Sequence, residues 1–293
     1  PLPRAVVDAD DPRPSRPDAL LVIPPEAAAS PDPAAVATGP AARGRAAAAA
    51  VESAAALVLS GRAAAIVTGP LHKEALRAAG YAVPGHTELL ARACGLPDGA
   101  ASMMLWLPSA DRDGTGLGVV HATLHEPLRA AISRLTAAGI AAAGLRLGPL
   151  LEALLGRRPR IAVAALNPHG GEGGLFGDEE SRVVAPAVAE LRAAGIDATG
   201  PLPADTLFLR ASRGEFDGVV ALYHDQGHIP VKLLGMHRAV NVTLGLPLVR
   251  TSVAHGTALD IVGAGTADPT SMLSAIDVAV RLVAAGWPRA AAR

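Results

Sequence analysis

Short apolar runs alternate along the chain with longer, alanine-rich amphipathic stretches. The short runs are bounded by glycine, proline or polar residues and predict buried strands, while the longer stretches predict helices. Strands that alternate with helices predict an α/β fold with a mainly parallel sheet flanked by helices. The predicted strands are 19–23, 63–67, 102–107, 118–123, 161–166, 219–223 and 240–243. The predicted helices are 43–60, 71–79, one starting near 87, 127–143, 148–155, one ending at 194, 204–213 and 270–285.

The segment HDQGHIPVKLLG follows the apolar run 219–223 and is predicted to be a polar loop. Ligands of open α/β sheets bind where strands end and loops begin. The segment therefore indicates a functional site, and the alternative is a solvated loop with one capping aspartate. Its polar side chains within nine positions are His224, Asp225, Gln226, His228 and Lys232.

Three histidines, His125, His169 and His224, each lie just after a predicted buried strand. Because strand ends on one edge of a parallel sheet converge, three imidazoles could meet there. Three neutral imidazoles with an open fourth position form a catalytic divalent-metal site, typically zinc. The alternative is that these histidines cap helices or form hydrogen bonds within loops.

A second polar group consists of Lys232, Asn241 and Arg250. Lysine supplies a point charge and arginine a two-pronged donor, which together suit a phosphate or a carboxylate. Ordinary surface charge is the alternative for Lys232 and Arg250.

Two glycine-containing loops are candidates for binding a ligand through their backbone. The loop 167–177, NPHGGEGGLFG, lies between a predicted strand and a helix, where glycines allow close approach and a helix N-terminus favours anions. It matches neither a Walker A loop nor the dinucleotide fingerprint. The loop HGTALD, 255–260, is either a turn with an aspartate cap or a backbone cradle for a nucleotide.

Composition narrows the classes of protein. A net charge of −1 gives no electrostatic reason to expect nucleic acid or an anionic membrane as a partner. The single cysteine, Cys94, excludes an internal disulfide and suits a reducing cytosol, so we expect a cytoplasmic protein. The apolar stretch 46–59 is too short for a membrane span and contains Glu52 and Ser53.

Several long motifs resemble those of the 4-hydroxythreonine-4-phosphate dehydrogenase family. They are TGPLHKEAL, GHTELLA, ALNPHGGEGGLFGDEE, ADTLF, YHDQGHIPVKLLG and VNVTLGLPLVRTSVAHGTALDIVGAG. The resemblance implies an isocitrate/isopropylmalate dehydrogenase-like α/β fold, with two α/β/α domains and a cleft between them. The domains implied are a nucleotide-side domain, 1–84 plus 236–293, and a central metal, substrate and dimerisation domain, 85–235.

The resemblance also implies an activity. Members of the family oxidise the secondary alcohol of 4-hydroxythreonine 4-phosphate with NAD, or NADP, and the β-keto acid loses carbon dioxide to give 3-amino-2-oxopropyl phosphate for pyridoxal phosphate biosynthesis. They depend on a divalent metal, for which we expect zinc, with magnesium or cobalt as alternatives. They are homodimers with the active site at the subunit interface.

By motif, the resemblance assigns roles to particular residues. The implied metal ligands are His125, His169 and His224, and the implied substrate contacts are His86, Thr87, Lys232, Asn241 and Arg250. The implied cofactor contacts are His255, Gly256, Thr257 and Asp260. Asp225 and Lys232 are the candidate catalytic groups, Asp225 because it could orient the neighbouring imidazole or relay a proton. A structural ion pair is the alternative for Asp225.

Three other functions remain open. The LFGDEE and DQGHIPVKLLG variants are closer to a paralogous branch that acts on 4-phospho-D-threonate or 4-phospho-D-erythronate. Other relatives oxidise cis-dihydrodiols. A catalytically silent metal- or phosphate-binding protein is the alternative of another class, because Ala254 stands where an aspartate commonly precedes the HGTA motif.

Overall fold

The computed structural model describes residues 4–6, 20–22, 39–83, 85–97, 99–109 and 115–288. The chain forms two compact units, one of Pro1–Ala64 with Leu71–Gly99 and the other of Ala65–Pro70 with Ala100–Arg293. The predicted domains, 1–84 plus 236–293 and 85–235, have other bounds and stay a prediction. Strands from the last quarter of the chain are hydrogen-bonded into the same sheet as strands from its middle.

The described residues of the first unit form a short parallel strand pair and three helices. The strands are β1, Arg4–Val6, and β2, Leu20–Val22; the helices are α1, Pro40–Leu59, α2, Lys73–Ala78, and α3, His86–Ala93. Helix α1 packs closely on α2 at Gly44, where a Cβ atom would overlap the carbonyl group of Ala75. Helix α2 begins after His72, whose Nδ1 accepts a hydrogen bond from the backbone of Ala75 at 3.2 Å. This side-chain cap satisfies one of the free N–H groups of the first turn.

The second unit is built on an eight-stranded sheet. Its strands are β3, Ala65–Thr68; β4, Ser102–Pro108; β5, Gly116–His121; β6, Arg160–Ala164; β7, Asp197–Leu202; β8, Gly218–Ala221; β9, Val240–Leu244; and β10, Val249–Val253. The order across the sheet is β3-β10-β9-β4-β5-β8-β6-β7. The pairs β10–β9, β9–β4 and β4–β5 are antiparallel and the other pairs are parallel. The predicted α/β class is confirmed, but the sheet is mixed rather than mainly parallel.

Helices cover both faces of this sheet. They are α4, Leu128–Arg134; α5, Ala137–Leu155; α6, Ala185–Ala193; α7, Ala204–Ser212; α8, His224–Gly235; and α9, Thr270–Ala284. Helices α5, α6 and α9 share one apolar core with the sheet, and α7 and α8 share the other. Three layers of this kind bury an apolar face on each side of the sheet.

Two helices, 127–143 and 148–155, were predicted here, but the first ends at Arg134 and α5 runs without a break from Ala137 to Leu155. Within the described ranges it alone has the length and apolar composition of a membrane-spanning helix. Its side chains Leu147, Leu150 and Leu151 are fully buried against the sheet and α6. Core packing therefore accounts for its apolar character.

An ion-pair cluster joins the start of β6 to the start of β8. Asp217 is buried, and its carboxylate accepts hydrogen bonds from Arg157 at 2.7 and 2.8 Å and from the backbone of Arg160 at 2.8 Å. Burial alone would raise the pKa of Asp217, but the hydrogen bonds from Arg157 and Arg160 outweigh it and lower the pKa from 3.8 to about 2. The folded state therefore favours the ionised carboxylate.

We expect Asp217→Asn to lower the free energy of unfolding at neutral pH by about 2 kcal/mol, because a depressed pKa is a stabilisation of the ionised group. That stabilisation is complete above the unfolded-state pKa and is lost as the pH falls through the folded-state value. The difference between wild type and variant should therefore shrink below about pH 4. Denaturant unfolding at several pH values measures it. The matched control is Asp178→Asn, which removes an exposed ion pair with Arg182. If the difference in unfolding free energy between wild type and Asp217→Asn does not change with pH, the ionised Asp217 carboxylate is not the source of the stabilisation.

Candidate active site

Helix α8 begins three residues after β8 and carries a polar stripe. This segment was predicted to be a polar loop, and that prediction is wrong. Residues four apart lie on the same side of a helix, so His224, His228 and Lys232 form one line along α8.

Two residues of α8 tie the helix to the sheet. The buried Gln226 accepts a hydrogen bond from the backbone of Leu222 and donates one to the carbonyl of Ala165, both at 2.7 Å. Gly227 allows the helix to approach β5, since a Cβ atom there would overlap the His121 ring and the Val119 side chain. These contacts fix the start of α8 against the carboxyl ends of β5 and β8.

Four histidines meet at these strand ends. His121 is the last residue of β5 and His125 follows it, while His224 and His228 belong to α8. The His224 ring centroid lies 3.7 Å from that of His228, 5.7 Å from that of His125 and 6.3 Å from that of His121. Of these four, His125 and His224 were predicted from the sequence to have roles, and His121 and His228 were not. A cavity of about 340 Å³ opens beside the cluster and is lined in part by His125, His224 and Asp225.

Burial keeps the inner two histidines neutral. Burial, with a smaller contribution from the neighbouring His228, lowers the pKa of His121 well below 6.5. Burial and the neighbouring His224 lower the pKa of His228 from 6.5 to about 4. The Nδ1 of His224 lies 2.7 Å from a carboxylate oxygen of Asp225. Because the carboxylate oxygen accepts the hydrogen bond, Nδ1 is the donor, and in the neutral imidazole the lone pair is then on Nε2.

The third predicted metal ligand, His169, lies on the loop 167–177. Its ring contacts Phe176, with the centroids 6.4 Å apart. Among the described residues of a single chain, no group of three or more His, Cys, Asp or Glu residues could hold a metal ion. The structure thus brings His125 and His224 together without completing a three-histidine centre, and the metal site stays a prediction.

The loop that carries His169 has an unusual backbone. His169 and Glu172 have φ angles of 55° and 45°, in the left-handed region that non-glycine residues rarely adopt. Such strain is maintained only where the surroundings fix the backbone, and it is frequent at functional sites.

Glu180 holds the start of this loop through hydrogen bonds. Its buried carboxylate accepts hydrogen bonds from the backbones of Leu166 and Asn167 at 2.8 Å and from the Asn167 side chain at 2.9 Å. Burial alone would raise the pKa of Glu180, but the hydrogen bonds from Asn167 and Leu166 outweigh it and lower the pKa. Glu180 begins a π-helical turn, Glu180–Val184, that leads into α6.

We expect Glu180→Gln to lower the free energy of unfolding by about 1–3 kcal/mol, because an amide nitrogen then faces the donor group of Asn167. Denaturant unfolding measures the change, and nuclear magnetic resonance of the loop amides reports its mobility. Glu190→Gln, on the exposed side of α6, is the control. Equal stability of the two variants would mean that Glu180 does not hold the loop.

Arg250 lies on a polar face formed by β3, β10 and β9. The guanidinium group is buried and donates hydrogen bonds to the hydroxyls of Thr68 at 2.6 Å and Thr243 at 3.0 Å. Asn241 is opposite Ser252 in the β9–β10 pair, and its buried Oδ1 has no hydrogen-bond partner among the described residues. Strand pairing thus brings Asn241 and Arg250 onto one face of the sheet, as an anion site requires.

The remaining predicted residues lie on other elements. Lys232 is exposed on α8, in line with His228. His86 and Thr87 form the first turn of α3 in the first unit. The loop 255–260 is largely exposed between β10 and α9, and a Cβ atom at Gly256 would meet nothing within 4 Å. The polar residues Thr68, Thr243 and Ser252, which were not predicted to belong to the site, lie in β3, β9 and β10.

Comparison with solved structures gives close matches. The chain resembles 4-hydroxythreonine-4-phosphate dehydrogenase from Klebsiella pneumoniae with a TM-score of 0.79 and 43% identity, covering 96% of this chain and 83% of that one. It also resembles a terephthalate 1,2-cis-dihydrodiol dehydrogenase from Burkholderia xenovorans with a TM-score of 0.60 and 34% identity, covering 84% and 74%.

Sequence comparison places the chain in a family. A 4-hydroxythreonine-4-phosphate dehydrogenase from Beijerinckia indica is 51% identical over 224 residues, which is 76% of this chain and 63% of the relative. A D-threonate 4-phosphate dehydrogenase from Cupriavidus necator is 52% identical over 213 residues, 72% of this chain and 61% of the relative. The chain therefore spans less than two thirds of the length of either relative. The family model described as pyridoxal phosphate biosynthetic protein PdxA matches residues 5–279, and the predicted resemblance is confirmed: the chain belongs to this family.

Proposed function

We propose that the protein is an NAD-dependent dehydrogenase that oxidises the secondary alcohol of a small phosphorylated hydroxy acid. The observation that carries the proposal is the histidine cluster at the carboxyl ends of two neighbouring parallel strands, β5 and β8. This is where α/β enzymes bind their substrates. Membership of a family whose named relatives are dehydrogenases supports the reaction class.

The favoured substrate is 4-hydroxythreonine 4-phosphate, with oxidation followed by loss of carbon dioxide to give 3-amino-2-oxopropyl phosphate. In the oxidation, the hydride leaves the alcohol carbon for NAD and the hydroxyl proton leaves to a base. Asp225 engages the Nδ1 of His224, so the Nε2 lone pair is the one that would hold a metal, and we propose the candidate catalytic groups Asp225 and Lys232 as the acceptors of the proton. D-threonate 4-phosphate is the second candidate, because relatives with the two names are almost equally similar to this chain.

The polar face around Arg250 supports a phosphorylated or carboxylated substrate. A buried guanidinium presents its donors in a fixed plane that matches an oxyanion. The side-chain amide of Asn241 lies on the same face, and its buried Oδ1 could accept from a substrate hydroxyl or amine. We propose Lys232, His86 and Thr87 as further substrate contacts and the loop of His255, Gly256, Thr257 and Asp260 as the NAD contact, on the basis of the family motifs.

We expect phosphorylated substrates to be oxidised at least about tenfold more efficiently than the same compounds without phosphate, because charge-assisted hydrogen bonds are worth about 1.5–3 kcal/mol each. The measurement is kcat/KM for NADH formation with 4-hydroxythreonine 4-phosphate, D-threonate 4-phosphate and their dephosphorylated forms. The ratio between the two phosphorylated compounds identifies the branch. A preference for an unphosphorylated cis-dihydrodiol would contradict the proposed substrate class.

We also propose that the enzyme uses a divalent metal, with zinc favoured by the imidazole donors His125 and His224. The described residues of one chain do not complete such a site. When bound, such an ion would polarise the oxygen of the reacting alcohol. The missing ligand, His169, would then come from a second copy of the chain.

A homodimer provides that second copy. Helix α8 exposes an apolar stripe beside its polar one: Ile229, Leu233 and Met236 are 53%, 83% and 42% exposed. Exposed apolar side chains at helical spacing favour a partner surface. Because this stripe adjoins His224 and His228, a two-fold interface at α8 would bring residues of the second copy next to the histidine cluster.

A further inference from the structure

His228 contacts two other histidines, one at its face and one at its edge. The ring is nearly parallel to that of His224, with an angle of 10° between their planes and 3.7 Å between their centroids. At the edge of the ring, its Nδ1 lies 3.1 Å from the Nε2 of His121. The same Nδ1 lies 3.1 Å from the backbone carbonyl oxygen of His224, one helical turn earlier. The ring of His228 is therefore fixed both in position and in plane.

His121 supplies the fixed end of this arrangement. It is the last residue of β5 and is buried, and Gly227 gives α8 the close approach that lets the two rings meet. The Nδ1 of His121 is buried without a hydrogen-bond partner among the described residues. An unsatisfied buried polar atom costs about 1–3 kcal/mol, a penalty that an apolar residue at this position would avoid. Stability therefore does not account for a histidine here, and such exceptions call for another explanation.

His224 needs a support of this kind. Its contact with Asp225 joins side chains that are 36% and 69% exposed. Exposed pairs contribute about 0–1 kcal/mol and leave both side chains mobile. The contact with His228 is the firmer of the two, because that ring is buried and lies nearly parallel to the His224 ring at 3.7 Å between centroids.

We propose that His228 is a positioning residue that holds the plane of the His224 imidazole by stacking, and that His121 braces His228. This inference rests on the proposed function only in taking His224 as an active-site group. Residues that orient a functional imidazole from behind are a recurrent part of such sites, and their loss changes affinity or activity by about ten- to a hundredfold.

Two variants of His228 distinguish stacking of a flat ring from packing of any apolar side chain. His228→Leu keeps apolar bulk but loses the flat ring, whereas His228→Phe keeps a flat ring and loses both nitrogens. We expect His228→Leu to lower kcat by about tenfold or more with little change in KM, and His228→Phe to restore most of it. His121→Leu should act in the same direction as His228→Leu. The control is His237→Gln, an exposed histidine beyond the end of α8.

A second readout does not depend on turnover. Nitrogen-15 spectra of histidine-labelled protein should show a single tautomer of His224, protonated at Nδ1, in wild type and His228→Phe. In His228→Leu and His121→Leu the two nitrogen signals should shift towards each other as the tautomers mix. Unchanged His224 signals in both leucine variants would overturn the proposal, as would equal losses of kcat in His228→Leu and His228→Phe. If the wild type forms no NADH, the proposed function fails and the spectra alone decide this inference. If His228→Leu does not fold, His228→Phe and His121→Leu decide it in the same way.

Discussion

Replacing His224 with alanine should lower turnover by about a hundredfold or more, because the variant loses a group at the centre of the site. His224 contacts His125, His228 and Asp225, and it borders the cavity beside the cluster. The measurement is kcat for NADH formation with the better of the two phosphorylated substrates.

The matched control for this prediction is His237→Ala, because His237 is exposed and follows the same helix. That variant should keep wild-type turnover, and both variants should unfold at nearly the wild-type temperature. A group at the reacting atoms should change turnover by more than about threefold. If the turnover of His224→Ala is within about threefold of wild type, His224 is not an active-site group.

The second large effect is recovery of activity on mixing two inactive variants. His169→Ala and Lys232→Ala should each be nearly inactive alone. If the two residues serve one site from opposite subunits, a mixed dimer has one site with both defects and one with neither. Random exchange places about half of the protein in mixed dimers, so activity should return to roughly a quarter of wild type.

The outcome of mixing also locates the two residues. If both serve the site from one subunit, every site keeps a defect and no activity returns, which would reject this division of the site. A monomer by light scattering at the assay concentration would reject the shared site altogether.

The sequence pattern predicted the strands whose residues are continuously apolar. Strands β5, β6 and β8 are of this kind except for His121 at the end of β5 and Arg160 at the start of β6, and each lies within or close to its predicted bounds. Strand β10 was not predicted, because Arg250, Thr251 and Ser252 interrupt it with polar side chains. All three are buried, and their hydrogen-bond partners lie on β3, β9 and α9. Such partners become visible only once the sheet is formed.

The mixed character of the sheet had a signal in the sequence. Parallel neighbours need a crossover of about a dozen residues or more, whereas a short connection joins antiparallel strands. The polar segment between β4 and β5 is too short for a crossover, so their antiparallel pairing was predictable.

Helix α8 was predicted as a loop because its sequence contains polar residues, Gly227 and Pro230. In the structure Gly227 allows close packing on β5, and Pro230 lies inside the helix. Tertiary contacts thus override the local preference of these residues.

The candidate site was predictable in part. His125 and His224 were identified by their position after apolar runs, and the structure places their rings together. His121 was missed because it lies inside the predicted strand 118–123, whereas the other histidines follow their predicted strands. Its contact is with His228, 107 positions away along the chain. The burial of Arg250 could not be predicted from the sequence either, because it depends on the neighbouring strands β3 and β9.

Formation of NADH by the purified protein, before and after removal of metal, tests the central claim most directly. With 4-hydroxythreonine 4-phosphate or D-threonate 4-phosphate as substrate, we predict NADH formation that chelation abolishes and zinc or another divalent ion restores. Elemental analysis of the same samples gives the metal content. No NADH from either substrate with any added metal, or full activity in protein shown to contain none, would contradict the account.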